Sequence, residues 1–305
     1  MTVNNMVRWN VVSRRAGKII WSLIRFLLLF GLGYTLLSPF MIMVAGAFRG
    51  EQDIWNPSVV WITRHYTTEH LKSVMETMDY WNTFMRTMVI AVLSALAQSF
   101  SCALAGYGFA RYNFKGKGLL FGIVILTIIV PPQVTMLPTY SLYRSINLLD
   151  SPFAFWITSI LGMGIRSGLF IFIYRQSFRS LPSDLEEAAS IDGCGRIGIY
   201  FKIMLPNAFT TVITVFLFSF IWHCTDNFTT SIIMPTKRVL TTALKMLSTQ
   251  SSSLISGGET STVSPLILQA RMYCGSLLVV TPLIIVFVIC QRYFRAGIER
   301  TGLVG

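Results

Sequence analysis

Six long apolar segments, separated by polar ones, dominate the pattern of this 305-residue chain. Because a helix needs about 20 apolar residues to cross the hydrocarbon core of a bilayer, each segment predicts one membrane-spanning helix. Five of them contain no Asp, Glu, Lys or Arg, and the sixth contains only Arg166. The predicted spans are Phe26–Phe48, Thr87–Ala110, Gly118–Tyr143, Ser151–Tyr174, Ile203–Thr225 and Met272–Gln291. The predicted fold class is therefore an all-α membrane protein with six transmembrane helices.

Composition supports a membrane protein and argues against two other classes. Hydrophobic residues make up 53% of the chain and charged residues 12%, whereas soluble domains carry about 25% charged residues. The net charge of +12 does not indicate nucleic-acid binding, because the basic residues lie at the ends of the predicted spans. The five cysteines show no metal-ligand spacing, so neither a metal site nor a catalytic residue is predicted.

The distribution of Lys and Arg predicts the orientation of the chain in the membrane. Fifteen of these 25 residues flank one side of the predicted spans, nine flank the other side, and Arg166 lies within a span. Because cytoplasmic loops carry the excess of basic residues, the richer side is expected to be cytoplasmic. Both termini and the polar loop of residues 182–205 lie on that side, whereas Arg49–Arg86 and Asp226–Arg271 are expected to be external.

Two segments leave alternatives open. The third predicted span contains Pro131, Pro132 and Pro138, and proline bends a spanning helix because it frees a backbone carbonyl. This bend is either a moving part of a pathway or a static packing feature. The external stretch Ser251–Thr262 is rich in serine and glycine, a composition that buries little apolar surface. It is either a flexible linker or a segment that reaches into a partner protein.

The loop of residues 182–205 has more local structure than a simple connection between spans requires. Its pattern predicts a helix, a glycine turn, a second amphipathic helix and a proline at the start of the next span. Ser183 and Glu186 have the spacing of a capping box at the start of a helix. Gly193 and Gly195 favour the left-handed backbone that ends a helix. A protein partner at the membrane face would account for such a structure.

This loop resembles the signature loop of the permease subunits of ABC importers. The family pattern is Glu-Ala-Ala, three residues, Gly, nine residues, and then Ile-x-Leu-Pro. The matching positions are Glu187, Ala188, Ala189, Gly193, Ile203, Leu205 and Pro206. Further stretches similar to carbohydrate-uptake permeases are Ala105–Lys117, Pro131–Tyr140, Tyr174–Pro182 and Gln291–Gly305. Over roughly residues 60–305, the chain resembles the second permease subunit of a sugar importer of the maltose-transporter type.

The resemblance implies an architecture and a set of partners. The expected fold is the type I ABC importer permease fold with a cytoplasmic coupling helix, in a multi-pass protein of a bacterial inner membrane with both termini in the cytoplasm. The implied partners are a second permease subunit, a dimer of ABC ATPases that bind ATP and Mg, an external solute-binding protein, the sugar itself and lipid, but no nucleic acid. The chain itself is expected to hold no cofactor and to carry out no enzymatic step.

The resemblance also assigns residues and regions. The residues assigned to ATPase coupling are Glu187, Ala188, Ala189, Asp192, Gly193, Leu205 and Pro206. Glu187 is expected to pair with a basic ATPase residue, while Ala188 and Ala189 allow close approach. The predicted regions are a cytoplasmic segment 1–25, a first span with an external segment 26–83, the transmembrane domain 84–293 and a cytoplasmic tail 294–305.

Four residues are candidates for the substrate pathway. Arg166 is the only charge in a predicted span, and it should face protein or water because an intramembrane charge costs about 2.5–3.5 kcal/mol. Trp222, His223 and Asp226 lie toward the outer end of the fifth span, where aromatic and hydrogen-bonding groups suit a sugar ring. The alternatives are a structural pairing of Arg166 and an interfacial aromatic belt at Trp222.

The predicted function is the permease subunit of an ATP-driven ABC importer for a sugar or oligosaccharide delivered by a solute-binding protein. An alternative within transport is a non-neutral solute, such as an acidic oligosaccharide, a sugar phosphate or a polyamine. The family often has Trp-Asn where this chain has Cys224 and Thr225, so the solute itself is not predicted. A channel would have no use for the signature loop, and an intramembrane enzyme would need more than Arg166 and His223 in its spans.

Overall fold

The computed structural model describes residues 3–56, 63–256 and 264–302. Within these ranges all regular structure is helical, apart from one isolated antiparallel bridge between Arg49 and Tyr66. The helices are α1 (Val3–Ala47), α2 (Glu51–Ile54), α3 (Glu69–Thr77), α4 (Tyr80–Arg111), α5 (Lys117–Ile129), α6 (Pro132–Ser145), α7 (Phe153–Ile160), α8 (Ser167–Ser180), α9 (Asp184–Ile191), α10 (Arg196–Ile199), the π-helix Tyr200–Met204, α11 (Leu205–Asn207), α12 (Phe209–Thr225), α13 (Phe228–Ile233), α14 (Leu240–Ser256) and α15 (Pro265–Gly302). The prediction of an all-α protein is confirmed.

Three helices are long and apolar enough to cross a membrane without a break. They cover Gly17–Ala47 in α1, Tyr80–Arg111 in α4 and Pro265–Gln291 in α15. Two further candidates are broken pairs: α5 with α6, bent by 101°, and Arg196–Asn207 with α12, bent by 78°. By length and composition, the described residues therefore contain three candidate spans, or up to five when each bent pair is counted as one, and the predicted count of six is not confirmed.

The predicted fourth span, Ser151–Tyr174, is not one continuous helix. It consists of the short helices α7 and α8, which are separated by residues 161–166. Gly162 has a φ of 69° and Arg166 a φ of 57°, and this left-handed backbone cannot continue a right-handed helix. An apolar composition therefore does not by itself predict helical continuity.

The prolines of the third predicted span have different effects on it. α5 ends at Ile129, Pro131 has an extended backbone, and Pro132 occupies the first turn of α6, so this pair produces the 101° bend. Pro138 lies inside α6 without ending it. The predicted bend is thus confirmed at Pro131 and Pro132.

The stretch Ser251–Thr262, which is predicted to be external, is described only in part. Its first six residues continue α14, which ends at Ser256, and residues 257–263 lie outside the described ranges. Its contact with a partner stays a prediction.

The chain divides into two compact units, residues 1–73 with 260–277, and residues 74–259 with 278–305. In the first unit the end of α1 packs closely against α15. A side chain at Gly46 would overlap the ring of Tyr273, and the Cys274 thiol lies 3.0 Å from the carbonyl oxygen of Ala47. The regions predicted from sequence describe membrane topology rather than contacts, and they stay a prediction.

The second unit is built around α4, which packs against α7, α8 and α12. α4 and α8 approach closely at Gly106, where an added Cβ would lie 2.5 Å from the Cβ of Tyr174 in α8. Tyr174 is fully buried, as are its neighbours Phe170 and Phe178 on the same helix. This aromatic core continues into the polar loop through Tyr200, which is 3% exposed. The loop is therefore anchored to the same core as the spans.

Candidate functional site

The loop between α8 and α12 begins with the helix α9. The backbone carbonyl of Ser183 accepts the first helical hydrogen bonds, from the amides of Glu186 at 2.9 Å and Glu187 at 3.1 Å. The predicted capping box is wrong, because the Ser183 hydroxyl caps no backbone amide and contacts only the Asp184 carboxylate, at 3.4 Å. The Glu186 side chain cannot complete the box because it is bound elsewhere.

Glu186 connects α9 to the end of α4. The Tyr107 hydroxyl donates a hydrogen bond to Glu186 Oε1 at 2.9 Å, and Arg111 Nε lies 3.5 Å from Glu186 Oε2. Arg111 Nη2 also donates to the carbonyl oxygen of Leu181 at 2.7 Å. Two residues of α4, one turn apart, thus contact both α9 and the chain that precedes it.

α9 ends in a glycine turn at Gly193. The amide of Gly193 donates to the carbonyl of Ser190 at 3.1 Å, and the amide of Cys194 donates to that of Ala189 at 2.9 Å. These two bonds and the φ of 80° at Gly193 form a Schellman motif. The left-handed backbone predicted for Gly193 is confirmed, whereas Gly195 is extended with a φ of −68°.

The signature residues divide between an exposed and a buried face. Glu187, Ala188 and Asp192 are exposed, together with two apolar side chains, Ile191 at 86% and Ile197 at 77% exposure. We call these five residues the exposed loop face. Ala189, by contrast, is 5% exposed and belongs to the aromatic core of its own chain. Its small side chain therefore allows close packing within the molecule rather than exposure to a partner.

The loop joins the fifth span through an unusual helix. After α10 the chain forms the π-helix Tyr200–Met204, which leads into α11 with Leu205 and Pro206. Leu205 packs against the aromatic core, and Pro206 is exposed in the first turn of α11. π-Helical turns are rare and occur often at functional sites. In this chain the π-helix lies where the loop enters the membrane-spanning part.

The structure brings two of the predicted pathway residues together. The guanidinium carbon of Arg166 lies 5.3 Å from the centroid of the Trp222 ring, which is within the range of a cation–π interaction. Trp222 also contacts Phe170 and Phe218, with ring centroids 5.3 and 5.8 Å apart. Arg166 itself is exposed and forms no ion pair with a described residue.

His223 and Asp226 lie in different environments. Nδ1 of His223 lies 2.8 Å from the carbonyl oxygen of Ser219, one turn earlier in α12, and the side chain is buried. Asp226 follows α12, and its Oδ1 accepts a hydrogen bond from the amide of Thr229 at 3.1 Å. Burial raises the pKa of this carboxyl group. Oδ2 of Asp226 and Oδ1 of Asn227 are both buried without a hydrogen-bond partner among the described residues.

Sequence reasoning missed the polar cluster beside these residues. Gln98 of α4 is fully buried, and its Nε2 donates to the carbonyl oxygen of Ile165 and the hydroxyl of Ser167, each at 2.7 Å. Its Oε1 accepts from the Ser219 hydroxyl. The cluster holds the break between α7 and α8 against α4 and α12. A side-chain amide within an apolar span was the available signal, since such groups require partners.

Comparison with known proteins identifies the family. Residues 102–300 match the family of binding-protein-dependent transport system inner membrane components. The chain belongs to this family. It is a multi-pass membrane protein and the permease component of an ABC importer, as the signature loop predicted.

Two relatives of this permease come from one bacterium. It is 30% identical over 233 residues to the arabinooligosaccharides transport system permease protein AraQ of Bacillus subtilis (strain 168), covering 74% of each chain. It is 28% identical over 193 residues to the polygalacturonan/rhamnogalacturonan transport system permease protein YtcP of the same organism, covering 63% of this chain and 64% of that one.

A solved structure has the same fold as this permease. It belongs to a bacterial ABC transporter involved in the import of the acidic polysaccharide alginate, and the TM-score is 0.74 at 18% identity. The match covers 91% of this chain and 98% of the other. The predicted ABC importer permease fold is confirmed.

Proposed function

We propose that this permease imports a sugar or oligosaccharide together with a second permease subunit, a dimer of ABC ATPases and an external solute-binding protein. The similarity to AraQ, whose name assigns it to arabinooligosaccharide transport, supports the substrate class. ATP and Mg would be bound by the ATPase partner, and the exposed loop face would lie in the cytoplasm. The excess of Lys and Arg on that side of the spans supports this orientation.

The exposed loop face is the single observation that carries the docking proposal. It combines two strongly exposed isoleucines with the acidic side chains of Glu187 and Asp192, on a loop whose opposite face is packed into the core. Apolar side chains at the water-exposed end of a protein indicate a contact surface. A cleft with an apolar floor and basic rim on the ATPase would cover the isoleucines and pair with Glu187.

Substitution within this face tests the docking. Ile191→Ser is expected to weaken ATPase binding to the reconstituted permease pair about tenfold or more, because burial of an isoleucine contributes about 1.5–3 kcal/mol. Glu187→Lys is expected to weaken it through charge repulsion. The matched control is Ile146→Ser, which makes the same substitution at an isoleucine that is 56% exposed, after α6 and outside the loop. Binding of the ATPase with wild-type affinity by both loop variants would contradict the proposal.

The substrate contacts proposed for this chain involve Arg166, Trp222, His223 and Asp226. The two buried oxygens of Asp226 and Asn227 without described donors support sugar binding near the end of α12, since sugar hydroxyls donate hydrogen bonds. The Arg166 guanidinium already lies over the Trp222 ring, so a sugar that stacks at the same position would have to displace it.

An acidic oligosaccharide is the second candidate substrate. The specific observation in its favour is Arg166, whose guanidinium has no carboxylate partner among the described residues. A substrate carboxylate would supply that partner and lift the guanidinium from Trp222. Uptake into proteoliposomes of an arabino-oligosaccharide and an oligogalacturonate separates the two candidates. Arg166→Gln is expected to abolish uptake only of the acidic sugar if that is the substrate, and Arg166→Lys to retain part of it.

A further inference from the structure

We propose that Glu186 is a positioning residue that transmits the movement of α9 to α4 through Tyr107 and Arg111. We call these three residues the carboxylate clamp. The inference rests on the proposed docking of the loop on an ATPase, but it concerns a contact within this chain. Glu186 is not among the residues that the signature pattern assigns to coupling.

The geometry of the clamp suits the transmission of movement from α9 to α4. Each carboxylate oxygen of Glu186 faces its own partner, the Tyr107 hydroxyl at 2.9 Å and Arg111 Nε at 3.5 Å. The side chains of Arg111 and Glu186 are only 16% and 21% exposed, so water screens the pair weakly. Hydrogen bonds to an ionised group are shorter and stronger than neutral ones. The Tyr107 contact is such a hydrogen bond, whereas the Arg111 contact is an ion pair without a hydrogen bond at Nε. Together they oppose the separation of α9 from α4.

The covalent route from α9 to the fifth span is less direct. It passes through the left-handed Gly193, the extended Gly195 and the π-helix Tyr200–Met204 before α11 begins. A chain with such breaks absorbs displacement through backbone rotation. The clamp bypasses these elements because it connects the first turn of α9 directly to α4.

α4 is placed to distribute the movement. It packs against α7, α8 and α12, and the Tyr107 ring contacts Phe178 edge-to-face and Tyr200 at a tilt, with centroid distances of 5.4 and 5.0 Å. Arg111 in addition holds the carbonyl oxygen of Leu181, in the connection between α8 and α9. A displacement of α9 would thus reach both the aromatic core and the end of α8.

Matched pairs of variants distinguish the loss of the clamp from a general loss of stability. Tyr107→Phe removes the hydroxyl that binds Glu186, whereas Tyr200→Phe removes a neighbouring buried hydroxyl without a described partner. Glu186→Gln removes the charge of the clamp, whereas Asp184→Asn removes an exposed charge of the same helix turn. Each pair removes the same chemical group, but only one member of the pair breaks the clamp.

The experiment is hydrogen exchange on the complete transporter with and without ATP and Mg. In the wild type, ATP is expected to change the exchange of amides in α9 and in the last two turns of α4. In Tyr107→Phe, which loses the hydrogen bond, and in Glu186→Gln, which loses the charge of its acceptor, the change in α9 should persist. The change in α4 should fall about tenfold in each, the order of effect of one hydrogen bond to a charged group. The double variant should match the single variants, and the two controls should match the wild type.

Two results would overturn the inference. If the ATP response of α4 is undiminished in both clamp variants while the response of α9 is intact, the clamp is excluded but the proposed docking is not. If α9 of the wild-type transporter shows no response to ATP, both the proposed docking and the clamp, which rests on it, are contradicted. Arg111→Lys provides a further variant, which keeps the charge but removes the fixed fork of donors.

Discussion

Nε2 of Gln98, in the middle of α4, donates a hydrogen bond of 2.7 Å to the carbonyl oxygen of Ile165. Residue 165 lies in the break between α7 and α8, where no helical partner is available for its carbonyl. The amide of Gln98 thus replaces a helical hydrogen bond at a point where the chain is not helical. The break next to Arg166 is held by a side chain 67 residues earlier.

We expect Gln98→Leu to destabilise the protein by about 1–3 kcal/mol, because it leaves buried polar groups of α8 and α12 without a partner. Thermal unfolding in detergent measures the effect. Gln133→Leu is the control, since Gln133 is exposed in α6. Equal melting temperatures for Gln98→Leu and the wild type would show that the cluster does not hold the break.

Gly193→Ala is expected to disturb the end of α9. Its φ of 80° costs an alanine about 1–3 kcal/mol, so the Schellman turn should loosen and ATPase binding should weaken. Gly195→Ala is the matched control, because Gly195 has a φ of −68° and no atom lies within 4 Å of an added Cβ. Hydrogen exchange of the α9 amides measures the first effect. Equal protection in the two variants would contradict a conformational requirement at Gly193.

Gly106→Ala should separate α4 from α8. The new Cβ would lie 2.5 Å from the Cβ of Tyr174 and 3.0 Å from the backbone nitrogen of Arg175, and such overpacking costs about 1–3 kcal/mol. Gly108→Ala meets no atom within 4 Å, and it should be neutral or stabilise α4 by up to about 1 kcal/mol. The melting temperatures of the two variants should therefore shift in different directions, and equal shifts would exclude close packing as the reason for Gly106.

Asp53 makes the structure of the segment after α1 depend on pH in the acid range. Hydrogen bonds from the backbone amide and ring of His65 and from the amide of Arg64 lower the pKa of this carboxyl group. A group whose pKa is lower in the folded state stabilises that state above its unfolded pKa of about 3.9, and the stabilisation is lost as the pH falls through the folded pKa. Protection of the amides of residues 64 and 65 from hydrogen exchange, corrected for intrinsic rates, should decrease below about pH 4.

Asp53→Asn should show reduced protection of these amides at neutral pH and little further change in acid. The control is Glu51→Gln, which alters an exposed carboxylate of the same short helix. Protection in Asp53→Asn equal to that in the wild type at pH 7 would contradict the assignment.

Apolar composition predicted the membrane-spanning character of the chain but not the continuity of its helices. The uninterrupted helices in α1, α4 and α15 follow from long runs without charge. The break before α8 depends on the left-handed backbone of Gly162 and Arg166, and hydropathy does not report backbone conformation. The bend at Pro131 and Pro132 was predictable because proline removes a backbone donor.

The loop was predicted best where its structure is local. The turn at Gly193 requires only a glycine after the last helical residue, and it formed as expected. The capping box did not form, because Glu186 is bound by Tyr107, which lies 79 residues earlier in the chain. A spacing rule considers only near neighbours, so it could not anticipate this competition.

The π-helix Tyr200–Met204 has a consequence for the length of the chain. A π turn contains about one residue more than the 3.6 residues of an α turn, so it is equivalent to a one-residue insertion in a regular helix. Removal of that extra residue would leave an ordinary α-helical turn, and the residues that follow would keep their orientation about the helix axis. A bend of 78° separates this segment from α12. A one-residue deletion within Tyr200–Met204 should therefore disturb the span less than the same deletion within α12, where the loss of a residue rotates the rest of the helix by about 100°.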